Sequence, residues 1–234
     1  MSEDSCAHSG HRDRLRKKFL TNGFDGFENH EVLELMLYNA IPRKDTNPIA
    51  HNLIDYFGSL SAVLDAPIDV LIDAGLSHNA ALYIKMFPQV SRIYLDDKHN
   101  NTSKVVTEEN IGSSLLTKFI GRDYEAVVLL LLDAKYKEVF CGVISKGSVN
   151  ACEIYIRKII ELSILYSAKF AVLAHNHPSG IALPSTKDIQ TTKQVSNALN
   201  LVEVTLIDHI IVADNDYVSL AQSGLKDELF TCKS

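Results

Sequence analysis

The longest apolar run in the chain, Ala126 to Leu132, is bounded by Glu125 on one side and Asp133 on the other. It falls far short of the roughly 20 residues that a membrane-spanning helix requires. A short Val- and Leu-rich run between carboxylates describes a buried strand instead. Around it the pattern alternates between helix and strand. A helix is expected over residues 108–120, strands over 125–133 and 138–145, and a helix with Ile156, Ile159, Ile160 and Ile164 on its apolar side. A short strand over 170–174 follows, then a helix beginning at Ser185 and a strand over 202–213. Asp214-Asn215-Asp216 has turn chemistry before a last strand over 217–220. This half is mixed α/β.

The first half has a different period. Leu33, Leu35, Met36 and Leu37, then Ile49, Leu53, Ile54 and Phe57, then Val63, Leu64, Val70, Leu71 and Ile72 repeat at helical spacing, with breaks at Gly58, Pro67 and Gly75. These residues predict a small all-helical domain over 1–95. Residues 96–103 are all polar, the composition of an exposed linker, so the boundary is set at 96–104, with the α/β domain over 105–234.

A core can be filled, since 46% of the 234 residues are hydrophobic. The polar, basic N-terminus has no apolar signal region, and a cytoplasmic protein is expected, with no membrane association. Cys6, Cys141, Cys152 and Cys232 show no Cys-x-x-Cys spacing, against both a disulfide framework and a zinc ribbon. A net charge of -6 does not advertise nucleic-acid binding. The local basic run containing Arg12, Arg14 and Arg16 could touch phosphates, although such runs also form solvated helix faces.

The chemistry concentrates at His175-Asn176-His177, where a buried strand runs into a turn. Residues i and i+2 of an extended chain point the same way, so both imidazoles can face one ion, and zinc accepts such nitrogens. With nine histidines in the chain, a chance His-x-His pair is expected roughly a third of the time, so the pair alone is weak. Downstream, Ser185-x-x-Asp188 reads by itself as a capping box opening a helix. Joined to the histidines, it also places a carboxylate where a third ligand could sit and leave the fourth zinc position open, as a catalytic site requires. The residues alone leave Glu125, Glu138 and Glu153 as equal candidates for a base. His209, inside an apolar run, is expected to be a hydrogen-bonded structural histidine that could orient a ligand. The His-x-Glu and Pro-Cys-x-x-Cys signatures of a zinc deaminase do not occur.

Glu125, His175-x-His177, seven residues, Ser185, two residues and Asp188 resemble the JAMM motif of MPN-domain metalloproteases. Segments Gly10 to Arg16, Ala40 to Thr46, Phe57 to Leu60, His175 to Gly180 and Asp208 to Val212 extend the resemblance to bacterial RadC-like proteins over nearly the whole chain. That resemblance implies a helical N-terminal domain with a helix-hairpin-helix-like segment, followed by an MPN (cytidine-deaminase-like) domain. It also implies one Zn2+ held by His175, His177 and Asp188, with a water activated by Glu125 and Ser185 as an oxyanion donor. The implied reaction is hydrolysis of an amide or isopeptide bond in a protein or peptide. Weak DNA association through the N-terminal half is the alternative. Against it, residues 1–100 carry 10 Lys plus Arg and 14 Asp plus Glu, and Ser77 stands where the hairpin's second glycine would approach phosphate.

Overall fold

The computed structural model describes residues 4–100, 106–107, 109–147, 152–178, 180–214, 216–225 and 229–230. They form two compact units, Met1–Val90 and Ser91–Ser234. No helix among the described residues is long and apolar enough to cross a membrane.

The first unit is helical: α1 (Asp4–Asn22), α2 (Asn29–Ala40), α3 (Asn47–Phe57), α4 (Leu60–Asp65), α5 (Ile68–Asp73) and the start of α6 (His78–Asn100). The expected breaks fall where backbone chemistry demands them. Gly58 closes α3 in the left-handed region at φ +83°, its N–H bonded to the Ile54 carbonyl at 2.7 Å. Ser59 caps α4 by accepting the Ala62 N–H, and Pro67 precedes α5. Leu33, Leu37, Leu53, Val63, Leu71 and Ile84 pack as one buried core.

Glu34 is buried among these helices. It accepts from the Tyr38 hydroxyl at 2.7 Å and the Asn47 side-chain amide at 2.8 Å, and His11 Nε2 lies 3.0 Å away. Burial, followed by the Glu34 contact, pushes the Tyr38 phenol well above its ordinary range.

Where a linker was expected over 96–104, α6 continues to Asn100. Asp96 is engaged by Lys118 at 2.9 Å and by Arg92 one turn earlier at 3.7 Å. Polarity was a poor guide here, because a helix needs no apolar residue on a face held by ion pairs. The compact units part after Val90, inside this helix, and residues 101–104 of the expected linker lie outside the described residues.

The second unit is α/β, with a mixed five-stranded sheet in the order β2-β1-β3-β4-β5. Its strands are β1 (Ala126–Leu132), β2 (Glu138–Lys146), β3 (Phe170–Asn176), β4 (Thr205–Ala213) and β5 (Asp216–Ser219). β1 runs antiparallel to β2 and β3, β3 and β4 are parallel, and β5 returns antiparallel. Every residue of β1 is buried because both sheet faces are covered. On one face Val127, Leu129 and Leu131 pack with Ile159 of α8 (Cys152–Leu165) and with Val195 and Leu199 of α9 (Thr186–Asn200). On the other, Val128, Leu130 and Leu132 pack with Ile111 and Leu115 of α7 (Ile111–Leu116) and with Phe119.

Candidate metal centre

β3 carries Ala171 and Leu173 into the core under α8 and α9, so alternation puts His175 on that same face at the strand's end. His177 lies just beyond β3 but stays in register, its N–H donating to the Val212 carbonyl of β4 at 2.8 Å. α9 crosses the face with a buried stripe of Asp188, Thr192, Val195 and Leu199, and its first turn brings Asp188 to the two imidazoles.

His175 Nε2 lies 2.9 Å from His177 Nε2 and 3.3 Å from Asp188 Oδ1, while His177 Nε2 lies 3.7 Å from Asp188 Oδ2. Ligands about 2.0–2.1 Å from a tetrahedral zinc stand roughly 3.3 Å apart, so the three side chains fit the edges of such a site. Among the described residues this is the one group of three potential metal-binding side chains, and it offers two nitrogens and one oxygen. His175 and Asp188 are only 4% and 6% exposed, whereas His177 is half-buried. Burial pushes the His175 imidazole down to about 4, with Asp188 pulling upward and His177 pushing further down. Burial likewise holds His209 well below its ordinary value, aided by His175 and His177.

The capping-box reading of Ser185-x-x-Asp188 holds, and the same turn brings the Asp188 carboxylate beside the two imidazoles. The Ser185 Oγ accepts the Asp188 N–H at 3.2 Å, while Asp188 Oδ2 accepts the Ser185 N–H at 2.8 Å and its hydroxyl at 2.6 Å. The capping box therefore orients the carboxylate, turning Oδ1 toward His175. Ser185 is exposed, and its hydroxyl proton is engaged with Asp188 in this conformation.

Glu125 precedes β1 by one residue. The β1–β3 register ends by pairing Val127 with His175, and Glu125 lies two residues before Val127, where alternation along an extended chain gives it the same face as Val127. The Asn176 side chain fixes this junction, accepting the Ala126 N–H at 2.8 Å and donating to the Tyr124 carbonyl at 3.1 Å. The Glu125 carbonyl accepts the Gly147 N–H at 2.7 Å. Glu138, an equal candidate from sequence, pairs with Leu132 at the opposite end of β1, and the Glu153 side chain lies outside the described residues.

Sequence reasoning missed Asn176 and Thr192. Asn176 sits between the two histidines, and that position was the available signal. Thr192 follows Asp188 by one helical turn, and its hydroxyl donates to the Asp188 carbonyl at 2.6 Å and contacts His209 Nδ1 at 2.6 Å. His209 Nε2 in turn meets His175 Nδ1 at 2.8 Å.

The arginines named for phosphate contact lie elsewhere, on α1. Arg12 donates to the carbonyls of Ile41, Pro42 and Lys44 and stacks 4.7 Å from the Tyr38 ring centre. Arg16 pairs with Asp13 at 3.6 Å, and Arg14 is exposed. At the hairpin-like turn between α5 and α6, Gly75 adopts φ +101°, and the Ser77 hydroxyl accepts the Ala80 N–H at 3.3 Å.

A family model described as a RadC-like JAB domain matches residues 93–225, more than half of the chain. A UPF0758 protein of Fusobacterium nucleatum subsp. nucleatum is 36% identical over 227 residues, covering 93% of this chain and 97% of that relative. The model match spans the mixed sheet with its histidine-bearing strand, and the relative extends the likeness through the helical unit. The chain thus belongs to the RadC-like (UPF0758) family, with a JAB-type domain of MPN fold.

Proposed function

We propose that this protein is a zinc-dependent hydrolase of the JAMM type, a metallopeptidase or isopeptidase that cleaves an amide bond in a protein or peptide. The observation that carries the reading is the triangle of His175, His177 and Asp188, two nitrogens from the end of β3 and a carboxylate oxygen from the first turn of α9, held at zinc-ligand spacing. When bound, zinc supplies Lewis acidity and brings the pKa of water toward 7. Glu125, just ahead of the strand that pairs with the histidine-bearing strand, is the chain's own proton acceptor and returns that proton to the leaving amine. Ser185 can serve an oxyanion once its hydroxyl rotates away from Asp188 Oδ2. Ile181 and Leu183, exposed on the loop between His177 and Ser185, offer apolar surface to a substrate chain.

Two measurements test the reading. Metal analysis is expected to return one zinc per chain, and Glu125→Gln is expected to keep the metal while losing a factor of about 10²–10⁴ in peptide hydrolysis. A chain that takes up no zinc, or a Glu125→Gln variant with unchanged hydrolysis, overturns it.

DNA association is the second reading, and its support is the exposed Arg14 and Arg16. It is the weaker one, because Arg12 already serves backbone carbonyls and residues 1–100 carry more acidic than basic side chains.

A further inference from the structure

We infer that Thr192 and His209 are positioning residues that set the tautomer of His175 and so aim its Nε2 lone pair at the metal position. The inference rests on the zinc reading above for its purpose, but on hydrogen-bond direction for its content.

The assignment follows from one hydroxyl proton. Thr192 has a single O–H, and it is donated to the Asp188 carbonyl, an oxygen that can only accept. The 2.6 Å contact between Thr192 Oγ1 and His209 Nδ1 must then run the other way, with Nδ1–H donating. A neutral imidazole carries one N–H and one lone pair, so His209 Nε2 is an acceptor. Its partner at 2.8 Å, His175 Nδ1, must be the donor, which leaves His175 Nε2 bare. That nitrogen lies 2.9 Å from His177 Nε2, which must then be the donor across this contact when no cation is present, and 3.3 Å from Asp188 Oδ1.

The direction matters because the same heavy atoms allow the reverse relay. If the Thr192 hydroxyl pointed at His209, His209 would donate from Nε2, and His175 would carry its proton on Nε2, where it blocks a metal. The i−4 carbonyl of α9 prevents this, and that carbonyl belongs to Asp188 itself. The helix that supplies the carboxylate ligand thereby also sets the protonation of the first histidine. His209 and Thr192 touch no substrate. They act through His175, as the outer partners of metal-binding histidines do.

The test uses full-length protein labelled with 15N-histidine and stripped of metal, with long-range 1H–15N correlation reading which ring nitrogen carries the proton. His175 and His209 are both expected as Nδ1–H tautomers in the wild type and in Thr192→Ser. In Thr192→Val, the Nδ1–H form of His175 is expected to give way, and zinc affinity, measured by chelator competition, to fall by about 10–100-fold. Thr192→Ser is expected to restore it. An Nε2–H signal for His175 in the metal-free wild type overturns the inference. So does a folded Thr192→Val variant whose zinc affinity lies within threefold of the wild type. If Thr192→Val does not fold, the wild-type tautomer pattern decides alone. Because that pattern is read without metal, failure to bind zinc strikes the hydrolase reading and leaves this inference to its own result.

Discussion

Asn176 lies between two candidate ligands, yet its amide faces the neighbouring strand and holds the backbone on both sides of Glu125. Replacing it with Ala strands the buried Ala126 N–H, a loss of about 1–3 kcal/mol expected in urea unfolding. An unchanged midpoint would show that the clamp contributes nothing. The histidines make a second prediction. His175 and His209 both have folded pKa values depressed below 6.5, so the unfolded chain binds more protons as pH falls through 6.5 toward 4. Stability of the metal-stripped protein is therefore complete above about pH 7 and lost on acidification. Urea unfolding at pH 7 and pH 5 is expected to differ by on the order of 2 kcal/mol from His175 alone, at about 1.4 kcal/mol per pH unit. At this scale the histidine pair was readable from spacing, whereas Glu125 needed the family resemblance. The relay was not readable, since His175 and His209 are 34 residues apart and meet only because β3 and β4 lie side by side.

Among the elements, α9 does two jobs from one turn. Ser185→Ala removes the cap and one donor to Asp188 Oδ2, so a loss of about 1 kcal/mol is expected in thermal or urea unfolding. Zinc affinity is expected to fall alongside, because the carboxylate loses a restraint, and an unaltered affinity would separate the cap from the ligand. The elements themselves were largely legible. β1 was expected from its apolar run, α9 from its capping pattern, and the helical breaks from Gly58, Pro67 and Gly75. The polar end of α6 was not, because composition does not reveal that Asp96 finds Lys118 and Arg92 as partners.

For the whole molecule, each compact unit has its own core: Leu33 to Ile84 in the first, and the two faces of the sheet in the second. Leu37→Ala, in the fully buried core of the first unit, is expected to cost about 2–5 kcal/mol there and leave zinc affinity unchanged. Calorimetry and chelator competition on the same variant check both halves of the statement, and a weakened zinc affinity would show that the units are coupled. The amino-acid sequence by itself determined the two-part organisation, the strand that delivers two histidines and the helix start that delivers Asp188. Each is a local pattern whose period and turn chemistry are written in consecutive residues. Only the tertiary structure decided that Asn176 braces the backbone on both sides of Glu125, and that Thr192 and His209 meet beside His175 and Asp188. Those are distances across a sheet and between a sheet and a helix, set by register and packing rather than by neighbours in the chain.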